Sequence, residues 1–197
     1  PEYGLIWLAS DSAAKKAEEL APDWLKNALE IRISAKNGET DKEASRRLKV
    51  RARQLVEGDF FQIDADILLA RRLKAEDFTS VAVVAAALNR DSGGEFREDF
   101  RNNFARELFE RVEWEWPKNY FNTGFIFWRD NPSAYEISSQ WEAARDKFAE
   151  KTGMVIDQPA FNHAASQTGN VCVLNTRYNA SVSVLPQLSR SAACYHY

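Results

Sequence analysis

Residues 60–70 read FFQIDADILLA, two aspartates set in an otherwise apolar run. An ionised carboxylate is heavily penalised in a packed interior unless it is paired, hydrogen-bonded or bound to a metal. The run therefore reads as a buried strand whose end delivers Asp64 and Asp66 to a site. Side chains two apart on a strand face the same way, so the pair is expected to converge while Ala65 points back toward the sheet. Two carboxylates this close repel, and a divalent cation is the most economical way to keep both ionised. Oxygen ligands with room for phosphate and water suit manganese or magnesium. A plainer reading is a strand-to-turn junction whose aspartates cap backbone groups, and for an isolated Asp-x-Asp that reading usually wins.

The surrounding chain has 197 residues, 45% apolar and 28% charged, enough to close one sizeable core, and a single domain over 1–197 is expected. A net charge of -3 with both signs interspersed gives no electrostatic footprint for wrapping nucleic acid. No apolar run reaches membrane-spanning length, and the start PEYGLIWLAS lacks the flanks of a signal peptide, so the reading is a cytoplasmic protein without a transmembrane segment. Two cysteines are too few for a disulfide framework, and Cys172, within the apolar VCVL, is expected to be a buried thiol.

Working outward, GLIWLAS reads as a strand followed by a helix that Asp11 and Ser12 cap. Thr40 and Glu43 form a capping-box pattern before a helix carrying Ala44, Leu48, Ala52 and Leu55, which Gly58 ends. VAVVAAAL, residues 81–88, is apolar on both faces and predicts a buried strand. After SGGE, Phe100, Phe104, Leu108 and Val112 repeat as one helix stripe. FNTGFIFW is a strand. Asn131 and Pro132 open a helix with Ile137, Trp141, Ala144 and Phe148 inward and Gly153 just past its end. Asp157 caps a shorter helix beginning DQPAFNHAA, and VCVL supplies a further strand. Strands alternating with helices predict an α/β fold with a mixed, mostly parallel sheet flanked by helices.

Taken in order, FFQIDADILL, YFNTGFIFWRDNP, DQPAFNHAA, LNTRYNAS and the terminal CYHY resemble the A-type (GT-A) glycosyltransferases that use nucleotide-sugar donors. The resemblance is nearest to the glycogenin-like and lipopolysaccharide galactosyltransferase group, covers roughly residues 44–197, and rests more on FNTG followed by DQPAFN than on the aspartates. It implies a Rossmann-like α/β sandwich and sugar transfer from a nucleoside-diphosphate donor, UDP above all, with retention of anomeric configuration. The acceptor would be a carbohydrate, lipid-linked or protein hydroxyl.

By that resemblance Asp64, Asp66 and His196 are the ligands of manganese or magnesium against the donor's phosphates. Asn122, Thr123 and Gly124 line the sugar pocket, with Gly124 letting the backbone approach the ligand. Asp157 and Gln158 touch the donor sugar and the reacting face. A basic residue on the helix before the aspartates reaches the donor. Arg46, Arg47, Lys49, Arg51 and Arg53 give that helix a dense positive face; one of Arg46, Arg47 and Arg51 is the expected contact, and Arg47 and Arg51, one turn apart, are placed to act together. The segment RYN, residues 177–179, positions backbone near the acceptor side, and His163 has no role to inherit.

The chain departs from the family pattern at both ends. Few residues precede Asp64, so the usual first nucleotide-binding strand is expected to be either absent or replaced by GLIWLASD, and the family's Gly- and Lys-containing tail after His196 is expected to be lacking. Two competitors remain. A haloacid-dehalogenase-type phosphatase also ends a strand in Asp-x-Asp, but here Ile67 replaces the expected glycine. A non-catalytic sugar-nucleotide-binding or interaction module would suit the short flanks.

Overall fold

The computed structural model describes residues 6–20, 29–33, 38–89, 100–181 and 192–196. The chain opens with β1 (Ile6–Ser10), α1 (Asp11–Leu20) and β2 (Leu29–Ile33), and β1 and β2 pair in parallel as a two-stranded sheet. The capping box at Thr40 forms as the sequence predicts: Glu43 N–H donates to Thr40 Oγ1 at 3.3 Å and Thr40 N–H donates to the Glu43 carboxylate at 2.6 Å. It starts α2 (Asp41–Val50), which breaks at Arg51 before the single turn of α3 (Ala52–Leu55).

Four strands make the central sheet: β3 (Phe60–Ile63), β5 (Val84–Leu88), β6 (Phe121–Trp128) and β7 (Val171–Leu174), in the order β3-β6-β5-β7. Because β6 is antiparallel to both neighbours and β7 is parallel to β5, three strands run one way and β6 alone is reversed. Both faces of this sheet are covered, which is why VAVVAAAL shows no alternation. On one face Val84, Ala86, Ile126 and Trp128 pack with α4 (Phe100–Arg111), α5 (Pro132–Thr152) and α6 (Gln158–Thr168), through Leu108, Ile137, Trp141, Phe148 and Phe161. On the other, Ala85, Ala87, Phe125 and Phe127 meet Phe78, Tyr178 and Cys194. The inner face of α5 is as read from the sequence, and Gly153 closes it with φ +69°. Of the expected α4 stripe, Leu108 and Val112 are buried and Phe104 is exposed, while the Phe100 side chain lies outside those described.

A small third sheet, β4-β9-β8, joins β4 (Ile67–Leu69), β8 (Ala180–Ser181) and β9 (Cys194–His196). The sequence signal for β8 and β9 is too short to read. Cys172 corrects an expectation: it is exposed, because β7 ends the order of the central sheet, whereas Cys194 is the buried thiol. Among the described residues no helix is long and apolar enough to cross a membrane.

Candidate active site

The site grows from an irregularity in β6. Ala86 pairs with Ile126 but Leu88 pairs with Phe121, so Ala87 alone of β5 lies against Asn122 to Phe125 of β6. Such a bulge frees side chains from the ladder and re-aims them. The freed stretch takes in Asn122, Thr123 and Gly124 of FNTG, and it leans toward β3, where Asp64 N–H donates to Gly124 O at 2.9 Å. Ile67 N–H then donates to Asp64 O at 3.1 Å, closing a turn over residues 64–67. Asp64 and Asp66 therefore do not share a strand face. Within the turn Asp64 meets Lys49 of α2 and Asp66 meets His196 of β9.

Three buried polar contacts bring the other elements to this point. Asn162, fully buried on α6, accepts from Phe121 N–H at 2.5 Å and donates to Phe121 O at 2.9 Å, so α6 is registered to the start of FNTG. Trp141 Nε1 donates to Asp157 O at 2.9 Å, anchoring the residue before α6 to α5. Gln62 Nε2 donates to Lys49 O at 3.1 Å while its Oε1 accepts from Trp128 Nε1 at 2.9 Å, tying the end of α2 to the sheet. Sequence reading missed Asn162 and Gln62, although a polar residue at an inward position is the signal that such locks leave.

Lys49 is the centre of the result. Its Nζ donates to Asp64 Oδ2 at 2.7 Å and to Thr123 Oγ1 at 3.2 Å, and it lies 3.0 Å from Asp157 Oδ2. Thr123, itself buried, donates to Asp157 Oδ2 at 3.0 Å. Burial pushes the Asp157 carboxyl up, but the Lys49 ammonium and the hydrogen bonds from Lys49 and Thr123 outweigh it and hold the group below the usual carboxylate range. Burial also works against the charge on Lys49, and the two carboxylates overcome it, raising its pKa. Asp64 goes the other way: burial, with repulsion from Asp157 and Asp66, lifts it despite Lys49. Asp157 is the residue at which α6 begins, yet it makes no side-chain cap, because its oxygens are turned to Lys49 and Thr123.

These residues line a cavity of about 390 Å³ that also takes in Asn89, Tyr120, Asn122, Gly124 and Gln158. Gln158 Oε1 accepts from Thr123 N–H at 3.4 Å, and the Tyr120 hydroxyl, pushed up by burial, bonds to the same amide. His196 reaches the cavity because β9 sets it opposite Ile67, with Nε2 3.5 Å from Asp66 Oδ2. Gly124 makes room for it: a Cβ there would lie 2.8 Å from His196 Cε1 and 3.0 Å from Nδ1. The close approach that this glycine permits is thus by the imidazole.

The two arginines expected at the donor stand elsewhere. Arg47 is buried against Glu39, with its Nη2 2.7 Å and its Nε 2.9 Å from the carboxylate oxygens. Arg51 faces Glu142 at 3.6 Å, and neither arginine lines the cavity. Arg46 comes no nearer than 4.0 Å to Asp157 Oδ1. His163 stacks on Trp114, centroids 4.1 Å apart, beside a second cavity of about 250 Å³ that shares no lining residue with the first.

Residues 58–192 match a family model described as nucleotide-diphospho-sugar transferase. No curated protein sequence matches the chain. Among solved structures, the galactosyltransferase LgtC in complex with donor and acceptor sugar analogues is 15% identical with a TM-score of 0.58, over 99% of this chain and 87% of its own. Mouse xyloside xylosyltransferase 1 in its apo form is 16% identical with a TM-score of 0.58, over 98% and 83%. The bifunctional glycosyltransferase WbbM, at 14% identity and a TM-score of 0.56, contains the fold within 46% of its length. These likenesses carry the fold, while the family match spans more than half of the sequence and sets the phosphatase reading of Asp-x-Asp aside. The chain belongs to the nucleotide-diphospho-sugar transferase family and is a glycosyltransferase of the GT-A type.

Proposed function

We propose that the protein moves a sugar from a UDP donor to an acceptor hydroxyl with retention, assisted by manganese or magnesium at Asp66, His196 and Asp64. The observation that carries this reading is the Lys49 ammonium, set between Asp64 and Asp157 in the wall of the 390 Å³ cavity. It takes the place expected of Arg47 or Arg51 as the basic residue that meets the donor. A buried ammonium with fixed partners stabilises charge that develops nearby without having to reorganise.

Asp66 Oδ2 and His196 Nε2 stand 3.5 Å apart, about 0.5 Å wider than the roughly 3.0 Å between adjacent ligands on an octahedral ion with bonds of about 2.1 Å, a gap that a small turn of the exposed Asp66 side chain would close. The backbone at Gly124 is cut away where the imidazole lies. Asp64 adjoins them in the same turn with its Oδ2 held by Lys49, and among the described residues no group of three acidic, histidine or cysteine side chains converges. The fit thus rests on Asp66 and His196, with Asp64 shared between the cation and Lys49. When bound, the ion would neutralise the diphosphate as it leaves.

Asn122, Thr123 and Gly124 form the wall against which the donor sugar lies, and Gln158 is fixed beside them by Thr123 N–H and Tyr120. Asp157 is a poor general base, since a base works best with a pKa near the operating pH and this carboxyl is held low by Lys49 and Thr123. It positions sugar hydroxyls instead. The acceptor proton then passes to the leaving phosphate, the route that retention favours. The acceptor is a carbohydrate, lipid-linked or protein hydroxyl.

A panel of nucleotide sugars, assayed with manganese for the parent and for Asp66→Ala, tests the reading. The parent should consume a UDP-sugar and the variant should lose most of that turnover. Equal turnover in both would remove the cation site. Metal-dependent UDP binding without consumption of any donor would point to a binding module.

A further inference from the structure

The cavity wall contains a chain of side-chain amides that ends on His196, and its polarity can be worked out from one backbone group. The side-chain atom of Asn122 that lies 2.8 Å from Gly124 N must be its oxygen, because a backbone N–H only donates. The same oxygen lies 2.7 Å from Asn179, so the Asn179 atom facing it must be the amide nitrogen, Nδ2. The remaining Asn179 atom is therefore its oxygen, and it sits 3.0 Å from His196 Nδ1. That oxygen only accepts, so Nδ1 must carry a proton. Asn122 Nδ2, at the other end, donates to Asn89 Oδ1 at 3.2 Å, which agrees with this polarity and braces Asn122 from the far side.

We infer that Asn122 and Asn179 act as positioning residues which lock His196 in the Nδ1–H tautomer, so that the bare Nε2 is presented toward Asp66 and a divalent cation. The inference rests on the cation site proposed above and assigns to Asn179 a role beyond backbone placement in RYN. A histidine ligand needs a free nitrogen lone pair, and the hydrogen bond made by its other nitrogen decides which one is free. Gly124 serves twice here: its N–H sets the polarity of the relay, and its missing Cβ leaves the space that the imidazole occupies. The lock reaches His196 on β9 from β6 and from the segment before β8, so it is a tertiary device that local sequence does not announce.

The test is a long-range proton–nitrogen NMR spectrum of the metal-free protein at a pH where the ring is neutral. The chain holds two histidines, so His163→Gln assigns the signals. The parent should show His196 protonated at Nδ1. Asn179→Ala should lose that preference and weaken manganese binding by about 10- to 100-fold. Asn179→Asp retains an acceptor for Nδ1–H and should keep the tautomer, but it sets two oxygens face to face where Asn179 Nδ2 donates to Asn122 Oδ1, so manganese affinity should recover only in part. A parent protonated at Nε2, or an Asn179→Ala spectrum unchanged from the parent, would overturn the lock, and the first of these needs no variant to fold. A parent that shows the Nδ1–H tautomer and responds to Asn179 as described, yet takes up no manganese by calorimetry with or without UDP, upholds the lock and overturns the cation reading alone.

Discussion

Lys49 Nζ lies 3.0 Å from Asp157 Oδ2, and this contact fastens the last turn of α2 to the residue from which α6 starts. Lys49 also holds Asp64 at 2.7 Å, so one ammonium balances two partly buried carboxylates. Removing one partner of a buried ion pair costs about 3–5 kcal/mol because the other charge is left uncompensated. Lys49, Asp64 and Asp157 keep some exposure, so solvent screens part of that cost, and Lys49→Met should lower the unfolding free energy by about 1–3 kcal/mol, read from urea denaturation. Adding Asp157→Asn to the same chain should return part of the loss, since one of the two uncompensated charges is then gone. Donor turnover should stay low in both variants.

Gly124→Ala provides a separate check on the wall of the site. The added Cβ would fall 2.8 Å from His196 Cε1 and 3.0 Å from Ile67 Cδ1, so the imidazole and β4 must both shift. Overpacking of this kind costs about 1–3 kcal/mol. The melting temperature should fall and manganese should bind more weakly. A variant with the parent's manganese affinity would mean that His196 is not a ligand.

Much of the fold was legible because the apolar periods of the helices survive intact: Ile137, Trp141 and Phe148 lie inward on α5 as their spacing requires, and the Thr40–Glu43 box forms. Asp64 and Asp66 were legible as a pair but not in their directions, because the turn over 64–67 is closed by a hydrogen bond from Ile67 that alternation does not encode. That Lys49, rather than Arg46, Arg47 or Arg51, lines the cavity is not encoded in the spacing of these residues. Helical spacing places all four on one helix, and only the tertiary positions of Glu39, Glu142 and Asp157 decide which cation each acid takes. Cys172 misled because an apolar run at a sheet edge looks like one in its middle.

Arg47 and Lys49 should therefore separate stability from donor binding. The paired hydrogen bonds of Arg47 to Glu39 join α2 to the segment before it, and losing charged hydrogen bonds of this kind costs about 1.5–3 kcal/mol. Arg47→Ala should lower stability by about that much and leave the donor KM unchanged in protein that remains folded. Lys49→Met should raise the KM. An increase in KM for Arg47→Ala equal to that for Lys49→Met would return the arginine to the donor site.

The pH dependence of stability follows from the same triad. Asp157 has its folded pKa held below its ordinary 3.8, so it contributes stability that is present above pH 3.8 and lost as the pH falls through the lowered value. Lys49 is raised above 10.5, so its contribution is full below pH 10.5 and is lost as the pH climbs through the raised value. Asp64 is lifted above 3.8 and so opposes folding at neutral pH, a cost that shrinks as acid protonates it. On acidification Asp64 should therefore take up its proton before Asp157, visible in carbon NMR of the aspartate carboxyls. Asp157→Asn should be less stable than the parent at pH 7, and the gap should narrow below pH 3.8 as the parent loses what Asp157 contributes. A gap that stays constant through that window would show that Asp157 is not held low by Lys49 and Thr123, and its exclusion as a general base would fall with it.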